Sequence, residues 1–306
     1  MTTLQKVTVF GTGVLGSQII MQAAYHGKDV TAYDITDEVL AKLPERYEWM
    51  RGFYRRDLPD FDEARFDRAI ESITTTSDIE QAVADADVVI EAIPEDLDLK
   101  KSVWAKIGAA VPEHTVLLTN TSSLLPSSFA DATGHPERFL ALHFANFIWK
   151  NNTGEVMATA QTDPKYFDMV LEFSDEIGLL PVPVRKEVPG YVLNSLLIPW
   201  LGAGAALYAN EVANPADIDN VWRTATGAPR GPFEVYDTVG FNVAYHINKN
   251  SDDPTKRKFA EILREGIDAG TTGIGAGKGF YSYDKDGNNL GPVEDWNIEN
   301  RKGTQG

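Results

Sequence analysis

The stretch from Lys6 to Asp34, KVTVFGTGVLGSQIIMQAAYHGKDVTAYD, constrains the fold of this chain more than any other. Val7-Thr8-Val9-Phe10 has the length and β-branched content of a buried parallel strand. Gly11-Thr12-Gly13-Val14-Leu15-Gly16 follows at once; an apolar-periodic segment to about Tyr25 predicts a helix, and a second strand, Asp29 to Tyr33, ends at Asp34. At this spacing Gly11 permits the tight turn, Gly13 admits a pyrophosphate to the backbone, and Gly16 lets helix and strand pack closely. Val14 and Leu15 fall in the first helical turn, where unpaired N–H groups and the helix dipole favour phosphate. Glycine spacing alone says little. With the strand, the helix and a carboxylate roughly 20 positions on, the context is that of a dinucleotide site.

Asp34 also selects the dinucleotide. Its carboxylate accepts from ribose hydroxyls and repels a 2′-phosphate, and Ile35 and Thr36 offer no arginine to offset that repulsion. NAD is therefore the expected cofactor.

At 306 residues the chain is long enough for two domains with buried cores. It has no cysteine, which excludes disulfides, thiolate metal sites and a cysteine nucleophile, and fits a reducing cytoplasm. Lys and Arg number 28 against 45 Asp and Glu, a net charge of −17 with no long basic run, so neither nucleic acid nor an anionic membrane is an expected partner. No basic, apolar leader stands ahead of the first strand, and the most apolar segment, Val188–Leu207, contains Pro189, Asn194 and Pro199.

Beyond Asp34, Thr36-Asp37-Glu38 starts a helix that runs to about Met50. The basic-aromatic cluster Arg51-Gly52-Phe53-Tyr54-Arg55-Arg56 reads either as a phosphate contact or as a helix end paired with Asp57, Asp60 and Asp62. Strands are expected at Ile73–Ser77, Asp87–Ile93, Thr115–Thr119, Arg138–Leu142, Glu155–Thr159 and Leu179–Arg185, with helices at Leu97–Ala110 and Pro164–Ile177. This alternation predicts an α/β domain over residues 1–187, a Rossmann-type doubly wound and mostly parallel sheet. After Pro189-Gly190 helical patterns dominate, over 191–210, 215–226, 232–248 and 254–269, so residues 188–306 are expected to form an all-α C-terminal domain. The segment Tyr191–Leu207 is apolar on every side, which suggests burial against a second copy of the chain in a homodimer. The run Gly273 to Gly279 lacks the Ser or Thr that a phosphate loop needs after Lys278, and reads as a plain loop.

A dinucleotide domain implies hydride transfer, and hydride transfer at an alcohol needs a group to take the hydroxyl proton. Ligands in doubly wound sheets lie at the carboxyl ends of strands, which places Ile93, Glu95 and Lys100 near the cofactor. His143, of five histidines, stands at such an end. Glu155, at the start of the next strand, is placed to fix the imidazole tautomer, Ser122 to bond the reacting oxygen, and Asn194 to close the site from the second domain. Each also has a structural reading: Ser122 as a helix cap, Glu155 as a strand surface residue, Asn194 as a backbone partner.

At these residues the chain resembles the 3-hydroxyacyl-CoA dehydrogenase family, and within it the bacterial diketoreductase branch. The likeness covers nearly the whole length: the glycine fingerprint, Ile90-Glu91-Ala92-Ile93-Pro94-Glu95, Asn120-Thr121-Ser122-Ser123-Leu124, Arg138 to Phe144, Pro189-Gly190-Tyr191-Val192-Leu193-Asn194, Gly231-Pro232-Phe233-Glu234 and Gly279-Phe280-Tyr281. It implies His143 as the acid or base, Glu155 as its partner, Ser122 and Asn194 on the substrate oxygen, and Asn120, Glu95, Lys100 and Asn146 at cofactor-contacting positions. The expected reaction is NAD-dependent interconversion of an L-3-hydroxyacyl and a 3-oxoacyl compound.

The departures concern the substrate. His143-Phe144-Ala145-Asn146-Phe147-Ile148-Trp149 lacks the prolines of the family pattern, Gly275-Ala276-Gly277 replaces its Lys-Thr-Gly, and Pro229-Arg230-Gly231-Pro232 replaces its Pro-Met-Gly-Pro. These features resemble the diketoreductases, for which bulky non-CoA 3-oxo or 3,5-dioxo esters are the alternative substrates, with Trp149 and Trp222 either lining the pocket or buried as core. The 6-phosphogluconate and hydroxyisobutyrate dehydrogenases need a lysine where this chain has Gly190. A non-catalytic NAD-binding protein of the crystallin kind would have no physical need to keep Ser122, His143, Glu155 and Asn194 together.

Overall fold

The computed structural model describes residues 4–285 and 287–301. It divides into two units, one running to Val192 and the other starting at Leu193.

The first unit is built on short runs of β-branched and apolar residues that alternate with helices. In chain order these are β1 (Lys6–Phe10), α1 (Val14–Tyr25), β2 (Asp29–Tyr33), α2 (Asp37–Leu40), α3 (Leu43–Asp57), α4 (Glu63–Ser72), β3 (Thr74–Thr76), α5 (Ile79–Val83), β4 (Val88–Glu91), α6 (Leu97–Ala110), β5 (Val116–Thr119), β6 (Phe139–Phe144), β7 (Thr153–Ala158), α7 (Pro164–Glu176) and β8 (Leu180–Val184). The strands form one eight-stranded sheet in the order β3-β2-β1-β4-β5-β6-β7-β8. Every neighbouring pair is parallel except β6 and β7.

Successive side chains on a strand point to opposite faces, and both faces here are covered. Val88, Ile90, Val116, Leu118, Leu140 and Leu142 pack with α1, α3, α4 and α7, whereas Val89, Leu117 and Phe139 pack with α5 and α6. Each such aliphatic side chain contributes about 1.5–3 kcal/mol on full burial. This is the doubly wound, mostly parallel architecture that the alternation predicts.

Helix α4 has no counterpart in the sequence expectation. It is short and charged, and it forms because Asp62 caps it, accepting from the Arg65 amide at 3.1 Å, while Phe66 and Ala69 fall on one buried face. The single helix expected from Thr36 to about Met50 is two, α2 and α3, parted by a turn at Ala41 and Lys42, and α3 continues past Met50 to Asp57.

The second unit holds most of α8 (Tyr191–Ala209), then α9 (Pro215–Thr226), α10 (Pro232–Val239), α11 (Phe241–Asn248) and α12 (Pro254–Asp268). A short antiparallel ribbon, β9 (Tyr281–Tyr283) with β10 (Asn289–Pro292), adds strand to a domain expected to be purely helical. The single helix expected over 232–248 is two, because Gly240 at φ +87° leaves the helical region between α10 and α11. Tyr208, Phe233, Phe259, Phe280 and Trp296 centre the core of this unit. Two buried carboxylates order the chain around them. Asp219 accepts from the Phe233 and Glu234 amides and the Tyr281 hydroxyl, and Asp237 from the Phe280 and Tyr281 amides and the Tyr283 hydroxyl.

Candidate active site

The turn from β1 into α1 has the shape that its glycines require. Gly11 sits at φ +96°, and a Cβ on Gly16 would stand 1.9 Å from the Gly11 carbonyl oxygen, so only glycine lets α1 lie this close to β1. Gly13 faces open space, and no side chain caps the first amides of α1, which begins at Val14 and Leu15. Those amides are left for an anionic ligand. Asp34 stands at the end of β2, where its Oδ2 accepts from the Thr12 amide (2.8 Å) and hydroxyl (2.6 Å). Its carboxylate is therefore pinned beside the turn, and the residue after it, Ile35, is exposed. These residues fit a dinucleotide with an unphosphorylated ribose.

The ends of β4 and β5 carry a buried polar network. Glu91, fully buried, accepts from Lys100 Nζ (2.5 Å), the Ile93 amide (3.0 Å), the Thr119 hydroxyl (2.8 Å) and the Trp104 indole (3.3 Å). Lys100 is likewise buried and also lies 3.3 Å from Glu95 Oε2. Its ammonium is thus committed to the carboxylates of Glu91 and Glu95. Glu95 in turn gathers the next loop: Oε1 accepts from the Thr121 hydroxyl and from the amides of Ser122, Ser123 and Leu124. Burial raises the carboxyl pKa, but these bonds and Lys100 outweigh it and hold Glu95 down at about 2. Asn120, nearly buried, accepts from the Phe144 amide at 3.0 Å and so ties the end of β5 to the end of β6.

Three of the expected chemical residues meet at these strand ends. His143 on β6 and Glu155 on β7 are opposed in register, and His143 Nδ1 lies 2.8 Å from Glu155 Oε2. A carboxylate only accepts, so Nδ1 carries the proton and Nε2 presents a lone pair. Ser122 Oγ lies 3.1 Å from Nε2 and donates to it. Imidazole and carboxylate are both almost completely buried. The second carboxylate oxygen of Glu155 accepts from the Val192 amide at 2.8 Å, and the ring of Tyr191 lies flat against the imidazole, centroids 4.4 Å apart and planes within 10°.

The remaining candidates have surroundings of their own. Trp149 is core, not pocket wall: it is buried among Tyr54, Phe53 and Phe147, and its indole N–H donates to Asp57 at 3.1 Å. Asn146 is exposed on the loop after β6, its carbonyl accepting from the Asn151 side chain at 2.7 Å. The basic cluster is paired rather than poised for phosphate. Arg51 bridges Glu48, Glu63 and Asp67, Arg55 pairs with Glu63, and Arg56 with Asp57. Asn194 and Trp222 belong to the second unit. Asn194 is half-buried in the first turn of α8, and Trp222 is partly exposed on α9 against Trp200, centroids 5.3 Å apart.

Two residues of the site, Glu91 and Tyr191, escape the sequence reading as individual participants. A signal existed for Glu91, since a charged residue inside Val88-Val89-Ile90-Glu91 must be paired if the strand is buried. Tyr191 gives no such signal, because aromatic residues at helix starts are ordinary.

A glycine-rich turn into an uncapped helix, an acidic residue ending the second strand and a proton-relay geometry at neighbouring strand ends define a dinucleotide-dependent oxidoreductase. Residues 6–188 match the NAD-binding domain of 3-hydroxyacyl-CoA dehydrogenase and residues 190–283 its C-terminal domain, and the chain belongs to that family. It is 32% identical to the mitochondrial hydroxyacyl-coenzyme A dehydrogenase of Homo sapiens over 92% of this chain and 91% of that one. It is 31% identical to the 3-hydroxybutyryl-CoA dehydrogenase of Clostridioides difficile, over 92% and 100%. A solved diketoreductase, described as acting on dicarbonyl compounds, superposes with a TM-score of 0.88 at 48% identity, over 92% of this chain and all of that one.

Proposed function

We propose that the protein interconverts an L-3-hydroxyacyl and a 3-oxoacyl compound, with His143 as the acid or base and Ser122 as the hydroxyl that meets the reacting oxygen. The observation that carries this reading is the continuous contact Ser122 Oγ–His143 Nε2 and His143 Nδ1–Glu155 Oε2, at 3.1 and 2.8 Å, in the same sheet that carries the nucleotide turn. Gly11–Gly16 and Asp34 would hold NAD, which would supply or accept the hydride. His143 gives the substrate oxygen its proton in reduction and removes it in oxidation. Glu155 holds the tautomer that makes Nε2 the working atom and stabilises the imidazolium when it forms. Ser122 donates to an oxygen on which charge grows in the transition state. Asn194 is proposed as a second donor to that oxygen.

The 48% identity to a diketoreductase described as acting on dicarbonyl compounds supports a non-CoA dicarbonyl compound as the alternative to an acyl-CoA substrate. Oxidation of NADH in the presence of acetoacetyl-CoA, and separately of a 3,5-diketo ester, tests both readings. Turnover of neither removes the proposed reaction. His143→Gln should lower kcat roughly 10²–10⁴-fold while NADH still binds; a fully active variant removes His143 from the chemistry.

The working unit is proposed to be a homodimer. Helix α8 is 19 residues long with a mean hydropathy of 1.4, apolar enough by length and composition to cross a membrane. Leu196 and Ile198 on α8, Val221 on α9 and Ile247 on α11 are exposed in the single chain, an apolar area that a second copy would cover. Sedimentation of the wild type beside Leu196→Glu tests this, and a wild-type monomer rejects it.

A further inference from the structure

We infer that Tyr191 is a positioning residue for His143, its ring setting the plane in which the imidazole moves a proton. The inference rests on the reading of His143 as the proton carrier. The Nδ1–H bond to Glu155 holds one edge of the imidazole at 2.8 Å, but a hydrogen bond tolerates roughly 30° of misalignment, so the ring can still tilt about its Cβ–Cγ bond. Such rotation swings Nε2 away from Ser122 Oγ. The Tyr191 ring, parallel within 10° at 4.4 Å, blocks the rotation on one face. It is itself immobilised, being buried against Ala141, Met157 and Val184.

The backbone supports the same assignment. Tyr191 adopts φ +54°, a left-handed conformation that aromatic residues rarely take, directly after Gly190 at φ +83°. The turn is over-determined by contacts to the site: the Gly190 amide donates to the Ser122 carbonyl at 3.1 Å and the Val192 amide to Glu155 Oε1 at 2.8 Å. Residues 190–192 therefore touch Ser122, His143 and Glu155 one after another. A strained conformation held by contacts to exactly these groups is the pattern expected of a preorganised site.

The test is steady-state kinetics of full-length Tyr191→Leu, Tyr191→Met and Tyr191→Phe, with NADH affinity and Tm measured alongside and whichever ketone the wild type reduces as substrate. In the two aliphatic variants kcat should fall roughly ten- to a hundredfold through misorientation of the ring. KM for NADH and ketone should stay within about twofold, since ground-state binding is untouched. Tyr191→Phe keeps the aromatic face and should return kcat to within about threefold of wild type. Wild-type kcat in a folded aliphatic variant overturns the proposal. So does an equal loss in Tyr191→Phe, which would assign the effect to the hydroxyl. Should both aliphatic variants fail to fold, the wild type decides by NMR: the carbon-bound imidazole protons of His143, identified by their absence in His143→Gln, should be shifted upfield by the Tyr191 ring current, and unshifted signals overturn the stack. An active His143→Gln defeats the functional reading, whereas an inactive His143→Gln beside a fully active Tyr191→Leu defeats this inference alone.

Discussion

His143 and Glu155 face each other across the one antiparallel strand pair of the large sheet, and the side chains meet at 2.8 Å. Directly opposed residues of an antiparallel pair project to the same face with their Cβ atoms close together. The pairing thus follows from β7 reversing direction against β6, and β7 is the strand that breaks the parallel pattern of the fold.

Glu155→Gln should leave the fold and NADH affinity unchanged yet lower kcat by roughly 10²-fold or more, because an amide N–H turned to Nδ1 forces the proton onto Nε2 and removes the acceptor that faces Ser122. Rapid-mixing measurement of the hydride step, beside NADH titration, separates the two effects. Near-normal turnover would show that the carboxylate does not set the tautomer.

Lys100→Met should destabilise the first unit strongly, by about 3–5 kcal/mol, because it leaves the fully buried Glu91 carboxylate without its cation. Adding Glu91→Gln should recover much of that loss, since the uncompensated charge goes with it. Urea unfolding of the single and double variants measures the coupling. A mild single-variant effect would mean that Thr119, Trp104 and the Ile93 amide suffice to hold Glu91.

The pH dependence of stability should differ between the two units. Burial pushes Asp219 up to about 6 and Asp237 up to about 7, against the pull of the amide and tyrosine donors around them. A carboxyl whose pKa is higher folded than unfolded holds its proton longer in the native state. Its contribution is therefore fully present below the ordinary value near 3.8 and is lost as pH rises through about 7. Glu95 has the opposite sign: its folded value of about 2 lies below the ordinary 4.5, so its contribution is lost as pH falls through that interval. Hydrogen exchange at the Phe280 and Tyr281 amides, corrected for intrinsic rates, should show protection declining from acid toward neutral pH. Flat protection over that range would contradict the sign for Asp237.

Much of this was legible in the linear chain. The glycine fingerprint, Asp34 and the alternation of strand and helix depend on spacing within about 30 residues, where the periods of strand and helix constrain geometry directly. Because functional groups in such a sheet collect at the carboxyl ends of strands, Ser122 and His143 could be placed in one crevice before any coordinates, with Glu155 beside them. Helix α4 and the break at Gly240 were not legible: the first is short and polar, and the second needs a backbone angle that composition does not reveal.

Sequence alone therefore determined the cofactor fold, the two-part architecture and the candidate side chains Ser122, His143 and Glu155 that the structure brings together. The tertiary structure decided which partner each buried group takes. It sent Trp149 into the core beside Asp57, satisfied Arg51 with carboxylates from α3 and α4, committed Lys100 to Glu91, and laid Tyr191 on His143. The reason is physical. Periodicity fixes the face on which a residue projects, but a hydrogen bond or a stacked ring requires sub-ångström register between segments far apart in the chain, and packing supplies that register only once the elements have assembled.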